Sequence, residues 1–100
     1  MQYVYKVCST KEWADATEVG FFLGSEVDIN DGFIHLSTIT QIEVTVSKHF
    51  AGQKNLVIIQ FDVKKIENKL KWEPSRDGDL FPNYYGNIKT NLEDKRFNLD

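Results

Sequence analysis

One hundred residues, 41% hydrophobic, 13% aromatic and 27% charged, supply the apolar surface for one packed core and leave no length for a second domain. The same composition excludes an intrinsically disordered chain. A net charge of -3, with lysines dispersed apart from Lys64, Lys65, Lys69 and Lys71, argues against DNA or RNA as a partner, because phosphate binding needs a basic stripe.

In chain order, "YVYKVC" from Tyr3 to Cys8 alternates like a strand and is rich in aromatic and β-branched residues. Its N-terminal surroundings carry no charged region followed by a long apolar run, so neither a secretory leader nor a membrane span is expected. The single Cys8 reads as a core residue and points to the reducing cytoplasm. Ser9 with Glu12 matches a capping box, Trp13, Ala16 and Val19 recur on one face, and Gly20 suits a C-terminal cap; a helix is predicted over 10–19. Residues 21–31 read as an irregular surface loop, closed by the Asp31-Gly32 turn signal. "FIHLS" is then a short strand whose period of two puts Phe33, His35 and Ser37 on one face.

Ile39, Ile42, Val46 and Phe50 keep helical spacing, and Thr38 with Gln41 forms a second capping box, which predicts a helix over 39–50 with His49 at its C-terminal end. "NLVIIQFDV" has no helical gaps and reads as a central strand buried on both faces. "KLKWE" gives another strand, "PSRDGDLFPNYYG" reads as a Pro- and Gly-punctuated loop, and "KRFNL" closes the sheet as an edge strand. The expected class is α+β: a compact mixed β-sheet with two main helices, residues 1–100 forming one domain.

Two stretches hold more polar and aromatic residues than a core needs, "DGFIHLST" and "KWEPSRDGDLFPNYYG". No metal site is expected, since two histidines and one cysteine have no ligand spacing. Neither an EF-hand register nor a Gly-rich phosphate loop is present, and no nucleophile elbow frames a Ser-His-Asp set. What remains is a cleft in which His35 and Ser37 project from one strand while Glu73 and Arg76 come from a neighbouring strand end and its loop. Arg76, His35 and Ser37 would anchor ribose hydroxyls or a phosphate, aromatics such as Trp72 and Tyr85 would stack on a flat ring, and Asp79 belongs to the same candidate ligand-binding group. His35 has two readings at this point, a ligand contact or a brace between a strand and a polar neighbour. A second reading of the whole chain is a non-catalytic interaction module in which the aromatic loop over 80–85 contacts a protein.

The runs "VDINDGFIHLST", "HFAGQKNLV" and "LKWEPSRDGDLFPNYYG", in this order, resemble the small, mostly bacterial domain-of-unknown-function family 952 over nearly the whole chain. That family looks like a compact member of the ADP-ribosyltransferase-like fold, which also houses the RNA 2'-phosphotransferases. The resemblance implies NAD or a related nucleotide as ligand. In that superfamily a strand carrying His-Gly-Ser or His-Gly-Thr binds the NAD ribose and nicotinamide, and a later glutamate assists glycosyl transfer. His35-Leu36-Ser37 resembles the motif, with Leu36 in the glycine position, and Glu73 is the candidate glutamate; on this resemblance Glu73 and His35 are the catalytic candidates. With Arg76 and Arg96 as the only arginines, RNA 2'-phosphotransfer is not expected.

Overall fold

The computed structural model describes residues 1–75 and 77–99. Its elements in chain order are β1 (Tyr3–Ser9), α1 (Thr10–Val19), β2 (Phe21–Phe22), α2 (Glu26–Asp31), β3 (Ile34–His35), α3 (Ile42–His49), β4 (Leu56–Asp62), α4 (Val63–Ile66), β5 (Leu70–Pro74), β6 (Leu80–Tyr84), β7 (Ile88–Lys89) and β8 (Glu93–Leu99), with 3-10 turns at Glu67–Lys69 and Thr90–Leu92. The class is α+β.

The apolar run of β4 lies between β1 and β8, antiparallel to both, and Leu56 to Phe61 are all buried because both faces of this sheet are covered. On one face Val4, Cys8, Val57, Ile59 and Phe61 meet Trp13 and Ala16 of α1. On the other, Tyr5, Val7 and Ile58 lie beneath Ile42, Val46 and Phe50 of α3 and its cap. Helix α1 starts and stops as its sequence requires: the Ser9 amide donates to Glu12 Oε1 at 2.9 Å, the Glu12 amide donates to Ser9 Oγ at 3.0 Å, and Gly20 takes the left-handed cap at φ 97°. Cys8 is fully buried, and desolvation pushes its thiol up to about 12, which makes it a core residue and not a nucleophile.

Four expectations are corrected. The sheet is not mixed: among the described residues every ladder is antiparallel, and the strands form three sheets, β1-β4-β8, β2-β7 and β3-β6-β5. Residues 21–31 are not a loop. They hold β2 and α2, elements too short for periodicity to reveal, and α2 leaves Val27 and Ile29 exposed and buries Asp28 instead. The helix expected over 39–50 begins at Ile42, because only half of the Thr38–Gln41 box forms: Gln41 Oε1 accepts from the Thr38 amide, while the Gln41 amide donates to the Thr38 carbonyl in a turn.

The stretch expected as an aromatic loop is a β-hairpin. Its turn chemistry is confined to a tight reversal in which the Ser75 amide donates to the Asp79 carbonyl and the Gly78 amide to the Ser75 carbonyl. Leu80–Tyr84 then returns along β5. Pro82 is tolerated there because it lies beyond the two residue pairs that join β6 to β3, and its carbonyl still accepts from the Leu36 amide. With Tyr84 buried in the core and Tyr85 half-buried, the segment over 80–85 offers no free aromatic loop, and the interaction module loses the feature it rested on.

Candidate functional site

The third sheet presents one face to the core through Ile34 and Tyr84 and turns the other outward. Strand alternation brings His35 of β3 with Phe33 just before that strand, Phe81 and Asn83 of β6 with Tyr85 just after it, and Lys71 and Glu73 of β5 onto that outer face. His35 pairs with Asn83, and Asn83 pairs on its other side with Lys71.

His35 is fixed from beneath. Its Nδ1 lies 2.6 Å from Asp28 Oδ1, and its amide donates to the same oxygen at 3.1 Å. The other oxygen of Asp28 sits 2.8 Å from Lys6 Nζ and accepts from the Ser25 amide and hydroxyl at 2.9 and 3.1 Å. Lys6 in turn donates to the His35 carbonyl at 3.1 Å. The Lys6 and Asp28 side chains are 5% and 0% exposed, so this is a buried ion pair with its hydrogen bonds satisfied, whereas the His35 ring keeps 37% exposure. Burial would push the Asp28 carboxyl up; the hydrogen bond from His35 and the Lys6 ammonium outweigh it and hold Asp28 well below the usual carboxylate range. An ionised Asp28 calls for a proton on Nδ1, which leaves Nε2 as the nitrogen that faces outward, 3.0 Å from the half-exposed carboxylate of Asp31.

Across the sheet, Glu73 Oε1 accepts from the Tyr85 hydroxyl at 2.7 Å and from Asn83 Nδ2 at 3.0 Å. The tyrosine first, then the asparagine, hold Glu73 below its ordinary value, and the same bond keeps the Tyr85 phenol protonated by raising it. Glu73 is therefore an ionised acceptor at neutral pH, suited to stabilising positive charge and not to donating a proton. Between the two groups lies an aromatic row: Phe33 is centred 4.5 Å from the His35 ring and 5.2 Å from the Tyr85 ring, and Lys71 Nζ stands 4.7 Å over Tyr85. Two strand spacings, about 10 Å, separate β3 from β5.

Three of the residues expected at the site thus share one face: His35, Glu73 and Tyr85. Ser37 does not join them. It leaves β3 to bridge Tyr5, is buried, and places its hydroxyl 2.9 Å from Thr45 of α3. Trp72 neighbours Glu73 in β5 and so projects from the opposite face. Asp79 lies in the hairpin turn, six residues from Tyr85 and about 20 Å along the strand. Arg76 lies outside the described residues.

Comparison with known proteins assigns the chain to a family. The family described as "Protein of unknown function (DUF952)" matches residues 7–92. The chain belongs to this family. The crystal structure of protein CC0527 from Caulobacter crescentus superposes with a TM-score of 0.94 at 41% identity, covering 98% of this chain and 86% of that one. The solution structure of the same protein gives 0.88 at 41%, covering 100% and 86%. No curated protein matches.

This DUF952 chain has two notable cavities among its described residues. One, of about 400 Å³, adjoins the outer face through Phe33 and lies between α2 and the Gly86–Asn87 turn. The other, of about 640 Å³, is a mostly apolar groove between α3 and β8 lined by residues such as Ile42, Val46, Phe97 and Leu99, with Glu43 and Ser47 of α3 among its few polar groups. No helix among the described residues is long and apolar enough to cross a membrane.

Lys6, Asp28, Asp31, Phe33 and Asn83 complete the site and escaped the sequence reading. Asp28 had a signal, since Ser25 and Asp28 keep capping-box spacing. Lys6 had a weaker one, a charge on the inward register of a strand, Val4-Lys6-Cys8. The depressed Asp28 carboxyl also sets an acid limit. Its stabilisation is complete above the unfolded value of about 4 and is lost as pH falls through the lower folded value. Melting temperature should therefore hold between pH 7 and 5 and drop below pH 4, and a Lys6→Met/Asp28→Leu double variant should lose less over that lower range; an equal loss in both proteins would show that Asp28 carries none of it.

Proposed function

We propose that the outer face of β3-β6-β5 binds a small ligand with a flat ring, a nucleotide or NAD-like molecule, and that its chemistry, where it acts catalytically, is of the glycosyl- or ADP-ribosyl-transfer type. The observation that carries this reading is the row His35–Phe33–Tyr85 ending at an ionised Glu73, with the outer nitrogen of His35 about two strand spacings away. Phe33 and Tyr85 supply ring faces, His35 Nε2 supplies a hydrogen-bonding group, and Glu73 stands where positive charge at an anomeric carbon would be stabilised. Of the superfamily's motif, His35 and Glu73 are kept. Leu36 is buried in the core and Ser37 is committed to Thr45, so neither enters the reading. The completely buried, unpaired Cys8 suits a reducing compartment, and we place the protein in the cytoplasm on that ground.

The supporting test uses thermal shifts with NAD, ADP-ribose and nucleoside phosphates on the wild type, His35→Ala and Glu73→Gln. A ligand specific to the folded state raises the melting temperature by mass action, roughly 2.7 kcal/mol at a hundredfold excess over Kd. A shift is expected in the wild type and in Glu73→Gln but not in His35→Ala, and any turnover of the bound ligand should vanish in Glu73→Gln. Unchanged turnover in Glu73→Gln would remove the glutamate from the chemistry; no shift with any of these ligands would overturn the reading.

A further inference from the structure

The two nitrogens of His35 meet carboxylates of very different character. Asp28, at Nδ1, is sealed from solvent and tied by Lys6 and Ser25, so it is part of the scaffold. Asp31, at Nε2, is 50% exposed on the final residue of α2, which has no basic residue in its last turn to hold that charge. The Lys6 and Asp28 charges cancel, so when the ring is protonated Asp31 is the group that balances it.

An exposed pair of this kind is worth little, and a competing anion displaces it at small cost. From this we infer that Asp31 holds the place of an anionic ligand oxygen: the site takes a phosphate group on His35 Nε2, and the Asp31 side chain moves aside to admit it. The inference rests on the ligand reading above and names the group that meets His35. Among the described residues, the cations facing this point are Lys6, already paired with Asp28, and Lys71 over Tyr85; the acidic groups are Asp28, Asp31 and, across Asn83, Glu73. Removing the Asp31 charge therefore makes the His35 end of the face one unit more positive.

Calorimetric titration of inorganic phosphate into the wild type, Asp31→Asn and His35→Gln tests this at pH 6, with adenosine and its monophosphate as a second pair of probes. Asp31→Asn should bind phosphate roughly two- to fivefold more tightly than the wild type, the range an exposed ion pair accounts for. His35→Gln should lose phosphate binding while its melting transition shows that it remains folded. Equal or weaker phosphate binding by Asp31→Asn, or no phosphate binding by either protein, would overturn the inference. The two readings fail separately: adenosine binding as tightly as its monophosphate sinks the phosphate assignment and keeps the ring site, whereas phosphate binding tightened in Asp31→Asn without any nucleotide binding does the reverse.

Discussion

Lys6→Met will destabilise the protein by roughly 3–5 kcal/mol, the usual cost of stripping one partner from a buried ion pair. The side chain is nearly isosteric, so packing against the core is kept and the loss is electrostatic: Asp28 stays behind, sealed from water, without the ammonium that neutralised it. In a domain of this size each kcal/mol shifts the melting temperature by about 4–8 °C, so the transition should fall by roughly 12 °C or more. The Lys6→Met/Asp28→Leu double variant should recover most of that loss, because no unpaired charge is left buried. Thermal melts of the two variants decide the matter, and a double variant no better than the single one would mean that the pair's hydrogen bonds to Ser25 and the His35 carbonyl, not its charge balance, hold α2 on the sheet.

Trp13→Ala should cost a similar roughly 3–5 kcal/mol by a different route. Trp13 is 1% exposed, its ring centred 5.5 Å from Phe22 and 6.1 Å from Phe61, and its Nε1 donates to Glu93 at 3.1 Å. It therefore joins α1 to β2, β4 and β8 at once. Truncation leaves a cavity among side chains fixed by three elements, which cannot all relax into it. Trp13→Phe keeps most of the volume and loses mainly the Glu93 hydrogen bond, about 1 kcal/mol. Urea unfolding should show both changes as shifts in midpoint at constant slope; a change in slope would point instead to the unfolded state.

The elements legible in the sequence are those whose signal is local. Helix α1 was bounded by its own capping box and glycine, and β4 by an apolar run that only a strand buried on both faces explains. What was not legible depends on partners remote in the chain. β2 exists because β7, more than sixty residues later, pairs with it, and α2 exists because Lys6 and His35 anchor Asp28. β6 hid behind its own proline and flanking turn residues until the short pairing with β3 made the proline harmless.

The site divides in the same way. His35, Glu73 and Tyr85 stand out in the sequence because polar and aromatic residues crowd their segments, and the strand register brings them onto one face. Ser37 and Trp72 were misplaced for geometric reasons: the strand carrying His35 ends two residues early and turns Ser37 towards α3, and the alternation of β5 sends Trp72 to the face opposite Glu73. Lys6 and Asp28 carry only local signals in sequence, an inward strand register and a capping-box spacing, and the fold alone shows that they face each other without solvent.

The measurement that bears most directly on the ligand reading is a two-dimensional NMR titration with ADP-ribose, following backbone amides and the His35 ring. The account predicts perturbations concentrated at Phe33, His35, Asn83 and Tyr85, with Asp31 shifting as its contact to the ring is exchanged for the ligand. Perturbations confined to the apolar groove at Ile42, Val46, Phe97 and Leu99, or none at saturating ligand, would contradict it.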